Sequence, residues 1–258
     1  MMGVYESIKR ALAFRSGNIC AKCHKELTVD YSDGTVKAIG ECAHIEGEHG
    51  GNPAFNKPPA ARYNPSMTDQ ERNSFPNLIY LCSNCHTEID KIPEGERDFP
   101  VSVLRNLKSV HESTVRKAII DAFPEVGFNE LAEATKWARQ FSALEASPDY
   151  SLLPVDKKLK RNGISIENRA VIAAGLSVAN EVAKYIKIVA QADDHFPERL
   201  KAGFLEEYYR LVKLDCKGDS LFEGMCCFAQ KGMKRQVDKT AGLAVLIHFF
   251  ETCEVFEK

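Results

Sequence analysis

The sequence has no long apolar run and no excess of positive charge, and each absence narrows the class of protein it encodes. No apolar stretch approaches the roughly 20 residues that a membrane-spanning helix needs, so we expect no membrane span. The net charge of −2 excludes a broadly basic surface, so any nucleic-acid contact has to be local or depend on a bound cation or a partner. The N-terminal segment MMGVYESIKRALAFRSGN has scattered charges and no apolar core, which predicts no signal peptide and a cytoplasmic protein.

Cysteine, by contrast, is abundant, with nine residues in the chain. Structural disulfides are rare in the cytoplasm, so another reason for these residues is needed. Four of them form two C-x-x-C pairs, Cys20 with Cys23 and Cys82 with Cys85. Two such turns complete the closed four-thiolate geometry of structural zinc, which is our prediction. The others lack this spacing and are interpreted as small buried side chains: Cys42, Cys216, Cys226, Cys227 and Cys253.

Each cysteine pair is followed by a histidine, His24 or His86, which also matches the attachment signature of c-type haem. Haem attachment requires export, for which the sequence carries no signal. A redox-active pair would open a helix in a βαβ unit, and neither pair has that setting. Zinc that clamps two distant chain segments therefore remains the favoured interpretation.

Hydrophobic periodicity divides the chain into an α+β part and a helical part. The first part has a predicted helix at 4–15, a hairpin at 18–45, a long loop at 46–76, an apolar strand LIYL at 78–81 and a helical turn from His86. After residue 100 the pattern predicts helices at 101–123 and 129–145, a proline-containing linker (SPDYSLLPVD), and helices near 167–190, 197–214, 219–235 and 239–252. We therefore expect an α+β domain over 1–122 with flanking helices, followed by an all-α domain over 129–258.

Three segments in order resemble the ββα-metal motif of HNH endonucleases: ECAHI at 41–45, NLIYLC at 77–82 and CHTEID at 85–90. The flanks ARYNPSMTDQER and DFPVSVLRNLKSVHE are similar to a bacterial branch with an AHI motif and zinc knuckles, so the resemblance covers roughly residues 5–115. It implies metal-dependent hydrolysis of DNA phosphodiester bonds. His44 would be the general base, Asn77 would fix the backbone near His44, and His86 would be the last histidine of the motif.

The chemistry of these residues agrees with that role. Phosphodiester hydrolysis needs a base that activates water and a cation that stabilises charge on the phosphate and the leaving oxygen. A neutral imidazole is available near pH 7, which suits His44. His86 and Asp90 are four apart on a predicted helix and share one face, so they can hold one Mg²⁺ or Mn²⁺ ion with open positions for water and phosphate.

One position departs from the family pattern. Many HNH proteins carry aspartate or histidine just before the first histidine as a further metal ligand, and this chain has Ala43. Glu41 or His49 is a candidate replacement, but strand alternation places Glu41 and Ala43 on one face and His44 on the other. A non-catalytic zinc module that binds DNA or protein is therefore an alternative, and an RNase is another.

The loop at 46–76 supplies three candidate phosphate contacts, Lys57, Arg62 and Arg72, which are equally compatible with ordinary surface charges. The segments DKKLKRNGIS and HFFETCEVFEK resemble C-terminal domains of effectors in bacterial three-component defence systems with an ABC-type ATPase. This resemblance implies a restriction or phage-defence effector whose helical domain contacts such an ATPase or another defence protein, or a second copy of the chain. The apolar C-terminal segment is expected to dock into a core or a partner.

Overall fold

The computed structural model describes residues 4–32, 35–142, 154–252 and 255–256. The chain divides into two compact units, Met1–Val115 and Arg116–Lys258, here called the N-terminal unit and the C-terminal unit. Mostly helical with two small antiparallel sheets, the fold agrees with the expected α+β class. None of the helices in the described ranges has both the length and the apolar character needed to cross a membrane.

The N-terminal unit contains four short strands and five helices among its described residues. The strands are β1 (Thr28–Asp30), β2 (Val36–Ala38), β3 (Glu41–His44) and β4 (Leu78–Leu81). The helices are α1 (Glu6–Arg15), α2 (Asp69–Arg72), α3 (Ser83–Ile89), α4 (Glu94–Asp98) and α5 (Val101–Ala122), of which α5 continues beyond the unit.

The strands pair differently from the single hairpin predicted for residues 18–45. β1 pairs with β2, whereas β3 pairs with β4, placing Glu41 opposite Leu81 and His44 opposite Leu78. A Cβ at Gly40 would overlap the ring of Tyr80, so the chain uses glycine where it passes from one sheet to the other. All four residues of β4 are buried, and β3 covers one edge of this apolar strand. This pairing places the ECAHI segment beside the NLIYLC segment, although more than thirty residues separate them in the sequence.

The core of the N-terminal unit forms around β4. Leu78 and Leu81 are fully buried and pack with Leu12 of α1, Ile89 of α3 and Leu104 of α5. Because β4 is covered on both faces, its sequence is continuously apolar instead of alternating. This core fixes α3 against the sheet, and α3 carries His86.

The long loop at 46–76 contains ordered structure of its own. Thr68 caps α2, where its hydroxyl accepts from the backbone N–H of Glu71 and the Glu71 carboxylate accepts from the backbone N–H of Thr68. Such reciprocal bonds satisfy backbone donors that the first helical turn leaves unpaired. Pro53–Phe55 and Phe75–Asn77 form short 3₁₀ turns. The loop is therefore a folded part of the unit.

The described residues of the C-terminal unit form helices and no strands, as the sequence predicts. They are α6 (Phe128–Ala134), α7 (Val155–Arg161), α8 (Ile166–Leu176), α9 (Ala179–Ala190), α10 (Phe196–Lys213), α11 (Gly218–Ala229) and α12 (Gln236–Glu251), with 3₁₀ turns at Phe123–Glu125 and Lys136–Gln140. Residues 143–153, which include the end of the predicted helix at 129–145 and most of the linker, lie outside the described residues.

Helix α12 is the central element of this unit, with Leu243, Leu246 and Phe250 buried. The prediction that the apolar C-terminal segment docks into a core is thus confirmed for α12. Lys158 of the KKLKR run is also fully buried, and its Nζ donates to the carbonyls of Phe250 and Val255 at 2.8 and 2.7 Å. Cys216 and Cys226 are buried as expected, Cys42 and Cys227 are partly buried, and Cys253 lies outside the described residues.

Candidate metal centre and catalytic site

The four cysteines of the two C-x-x-C pairs converge on one point. Their Sγ atoms all lie within 4.8 Å of one another, and the Sγ atoms of Cys23 and Cys82 are 3.8 Å apart. His24 adopts a left-handed backbone conformation that turns the chain after the first pair. Cys82 caps α3 by accepting from the backbone N–H of Cys85. The two knuckles thus place four thiols around one centre.

This geometry fits zinc. Tetrahedral coordination with Zn–S bonds of about 2.3 Å separates neighbouring sulfurs by about 3.8 Å, which matches the measured distance. Burial raises the pKa of the Cys20 thiol, but backbone N–H donors of Cys23, Cys82 and Lys22 outweigh burial and lower it to about 7. Because both pairs share one centre, the arrangement is that of one metal site and not of two separate haem attachments.

His86 lies between two carboxylates. Its Nδ1 is 2.7 Å from Oε2 of Glu41, and its Nε2 is 3.2 Å from Oδ2 of Asp90. A carboxylate only accepts hydrogen bonds, so in the metal-free protein Nδ1 donates to Glu41 and Nε2 faces Asp90 as a donor. The Asp90 hydrogen bond raises the pKa of His86 most strongly; burial opposes this shift and Glu41 adds to it. The Glu41 and Asp90 side chains are nearly half exposed, so solvent reaches both ends of the array.

The 3.2 Å between Nε2 of His86 and Oδ2 of Asp90 is the distance of a hydrogen-bonded pair, and it is also compatible with two adjacent ligands of a divalent cation. Adjacent ligands of an octahedral ion with bonds of about 2.1 Å lie about 3.0 Å apart, close to the 3.2 Å between Nε2 and Oδ2. A carboxylate on the other ring nitrogen, here Glu41, is the usual device that orients a ligating imidazole. Among the described residues, the four cysteines form the one group of three or more candidate ligands that meets at a point. Glu41 and Asp90 instead lie at different nitrogens of the His86 ring.

Ala43 is fully buried and offers no ligand. Glu41, two residues earlier on the same strand, reaches His86 directly. His49, the other candidate replacement, has its Nδ1 3.3 Å from the backbone N–H of Gly51, which donates to it. Of the two candidates weighed from the sequence, Glu41 is therefore the one that contacts His86.

His44 is the last residue of β3 and is partly buried, with Nε2 3.1 Å from Oδ1 of Asn73. Because an amide oxygen only accepts, Nε2 carries the proton and the lone pair lies on Nδ1. Asn73 is itself held in place, since its Nδ2 donates to the carbonyl of Asp69 in α2. The amide of Asn73, which the motif did not single out, therefore fixes the tautomer of His44.

Asn77 is buried and bonds the backbone just after His44. Its Oδ1 accepts from the N–H of Glu46 at 2.9 Å, and its Nδ2 donates to the carbonyls of Glu46 and Arg72 at 3.0 and 2.9 Å. The backbone of Asn77 also accepts from the N–H of Ile45. These bonds tie the end of β3 to the turn before β4, and so fix the backbone that carries His44.

Of the three candidate phosphate contacts, only Lys57 is exposed. The side chain of Arg62 is 4% exposed, and its guanidinium donates to the carbonyls of Ile45 and Ile89 and to Asp90. Arg72 is also buried and donates to the carbonyls of Gly47, Asn64 and Met67. Both guanidinium groups thus donate to acceptors within the unit. The phosphate-contact hypothesis is kept only for Lys57.

Comparison with known proteins adds no assignment, because neither a scan against protein-family models nor a search of curated proteins found a match to this chain. Any functional conclusion therefore depends on the site itself.

Proposed function

We propose that the chain is a metal-dependent endonuclease of the HNH type that hydrolyses phosphodiester bonds in DNA. The observation that carries the proposal is the placement of His86 Nε2 of α3 3.2 Å from Asp90, which caps the end of α3, with Glu41 of β3 bonded to the other ring nitrogen. An imidazole fixed by one carboxylate and paired with another is suited to bind a divalent cation. The same strand, β3, ends at His44.

Each residue then has a defined task. His44 accepts a proton from water through Nδ1, while Asn73 holds Nε2 and Asn77 fixes the backbone beyond the strand. His86 and Asp90 would hold Mg²⁺ or Mn²⁺ once the cation replaces the proton on Nε2, and Glu41 would orient His86. The cation, when bound, supplies positive charge that stabilises the phosphate and the leaving oxygen in the transition state. The four-cysteine zinc site holds the start of α3 beside the first knuckle, and so positions His86.

A second candidate is a zinc module that binds nucleic acid or protein without cutting it. Ala43 removes one potential ligand, and the carboxylates of Glu41 and Asp90 already have protein partners in His86 and Arg62. These observations favour a weak cation site or one completed when substrate binds. Retained binding without cleavage under every metal tested would support this candidate.

The cellular role belongs to the same proposal. We infer a restriction or phage-defence effector whose C-terminal unit contacts an ABC-type ATPase, another defence protein or a second copy of the chain. Support comes from the sequence resemblance of DKKLKRNGIS and HFFETCEVFEK. Co-purification of the full chain with its genomic neighbours tests this part.

The direct test is cleavage of supercoiled plasmid and of a structured RNA by the zinc-loaded chain with Mg²⁺, Mn²⁺ or EDTA. We expect metal-dependent DNA nicking that falls by about 10²-fold or more in His44→Ala, the usual range for loss of a general base. His195→Ala removes an exposed histidine of the C-terminal unit and is the matched control. Equal cutting by His44→Ala would reject His44 as the base, and cutting of RNA alone would identify an RNase.

A further inference from the structure

Arg62 occupies an unusual position for a loop arginine. Its backbone is in the left-handed region, with φ of 57°, and its own N–H donates to Oε1 of Glu96 at 2.6 Å. The side chain is 4% exposed, although it comes from a loop rich in proline and glycine. Burial of a charged side chain is costly unless its donors are paired, so a specific set of partners has to hold Arg62 there.

Those partners lie on the two elements that carry the candidate catalytic residues. Nε donates to the carbonyl of Ile45 at 2.8 Å, and Ile45 directly follows His44. Nη1 donates to the carbonyl of Ile89 at 2.5 Å, and Nη2 donates to Oδ1 of Asp90 at 2.8 Å. One planar guanidinium therefore connects the end of β3 with the end of α3.

The contact with Asp90 leaves its other oxygen for His86. Arg62 binds Oδ1, whereas Oδ2 faces Nε2 of His86 at 3.2 Å. A carboxylate held at one oxygen by a rigid donor has a fixed rotamer, and it presents the second oxygen in one direction. The positive charge of Arg62 repels a nearby cation, but Arg62 binds Oδ1 of Asp90, whereas the cation would bind Oδ2. The gain from orientation then outweighs this repulsion, because loss of such an outer partner typically weakens metal binding by 10–100-fold.

We propose that Arg62 is a positioning residue that sets Asp90 for a divalent cation and locks the strand bearing His44 to the helix bearing His86. This inference rests on the proposed function, because it assumes a cation at His86 and Asp90. Arg62 touches neither the cation nor the substrate, so it acts through Asp90 and the carbonyls of Ile45 and Ile89.

Arg72 provides a matched control. It is a second buried arginine of the same loop, and its guanidinium donates to three backbone carbonyls, whereas that of Arg62 donates to two carbonyls and to Asp90. Replacement of either arginine by lysine keeps the charge and loses the fork of donors. Both variants should lose stability, and only Arg62→Lys should disturb the cation pair.

The experiment measures Mn²⁺ affinity by EPR in the zinc-loaded full chain, with zinc content and melting temperature as folding controls. We expect Arg62→Lys to raise the Kd for Mn²⁺ by about 10-fold or more, and Arg72→Lys to leave it within about twofold. Arg62→Gln, which can keep one donor but no charge, should weaken binding at least as much. Should a variant fail to load zinc, the other Arg62 variant provides the measurement.

The outcomes separate this inference from the proposed function. In one outcome, the wild type binds Mn²⁺ and His86→Ala abolishes that binding, but both Arg62 variants bind Mn²⁺ as tightly as the wild type. Arg62 then has no positioning role, while the nuclease proposal stands. Tighter binding in Arg62→Gln would likewise overturn the inference, since it would mean that repulsion dominates. Absence of Mn²⁺ binding in the wild type, both free and with DNA bound, would overturn both.

Discussion

At the scale of single residues, His86 is central because carboxylates face both of its ring nitrogens. Glu41 lies at Nδ1 and Asp90 lies near Nε2, so the two carboxylates have different tasks. The carboxylate at Nδ1 raises the basicity of the ring and fixes its orientation. Asp90 shares a potential ligand position with Nε2. Under the proposed function, Glu41 therefore orients His86 and does not replace the ligand that Ala43 lacks.

The first prediction concerns Glu41. Glu41→Gln keeps an oxygen that accepts from Nδ1 but removes the negative charge, so the imidazole becomes a weaker ligand. We expect the Kd for Mn²⁺ to rise about tenfold, with zinc content unchanged. Isothermal titration calorimetry measures the difference, and Glu48→Gln, an exposed acidic neighbour, is the control. Equal affinity in Glu41→Gln and wild type would show that Glu41 does not support His86.

The second prediction concerns His111 of α5. This side chain is buried, and burial lowers its pKa below the ordinary value of 6.5, even though its Nε2 lies 3.1 Å from the carbonyl of Ser16. The unfolded chain therefore takes up the proton at a higher pH than the folded chain does. Stability contributed by the neutral ring is full above pH 6.5 and is lost as the pH falls through 6.5 towards the folded pKa.

Urea unfolding at pH 8.0, 6.5 and 5.5 tests the predicted direction of this pH dependence. The free energy of unfolding should fall on acidification in the wild type, and the fall should be smaller in His111→Gln, which has no titrating ring. Since cysteine protonation contributes equally to both proteins, the difference between them isolates His111. A wild type that loses no more stability than His111→Gln would contradict the assignment.

At the scale of elements, the sequence predicts those features that depend on contacts within one segment of the chain. Helical spacing placed His86 and Asp90 on one face of α3, and the continuous apolar run LIYL indicated a strand buried on both faces. Spacing within one segment could not show that β3 pairs with β4 instead of β2, because that choice depends on the packing of distant segments. For the same reason the sequence could not show that the loop arginines, interpreted as phosphate contacts or surface charges, have buried side chains. Arg62 becomes buried only because β3 and α3 bring Ile45, Ile89 and Asp90 to it.

The third prediction concerns the zinc knuckles that join these elements. Cys82 caps α3 and contributes to the four-sulfur centre, so Cys82→Ser should lose zinc and strongly destabilise the N-terminal unit. Cys42→Ser is the control, because Cys42 lies outside the centre and burial raises the pKa of its thiol to about 11. Zinc content and thermal unfolding followed by circular dichroism measure both effects. Equal zinc content and melting temperature in the two variants would reject a structural centre.

At the scale of the whole molecule, the proposed function requires a chain of net charge −2 to bind DNA without a broadly basic surface. Its site is open at Glu41 and Asp90, and Lys57 is an exposed cation on the neighbouring loop. Local contacts and a bound cation, or a partner of the C-terminal unit, then supply the attraction that global charge does not. The composition alone could show that the chain lacks a net positive charge, but it could not show which side chains would contact DNA.

We propose that the N-terminal unit holds two metal sites with different tasks, a closed zinc site at four cysteines and an open cation site at His86 and Asp90. Anomalous diffraction from crystals soaked in Mn²⁺, recorded at the zinc and manganese edges, tests it most directly. We predict a zinc peak among the sulfurs of Cys20, Cys23, Cys82 and Cys85, and a manganese peak beside Nε2 of His86 and Oδ2 of Asp90. A zinc peak with no manganese peak near His86 would contradict the open site, and no peak at the cysteines would contradict the account as a whole.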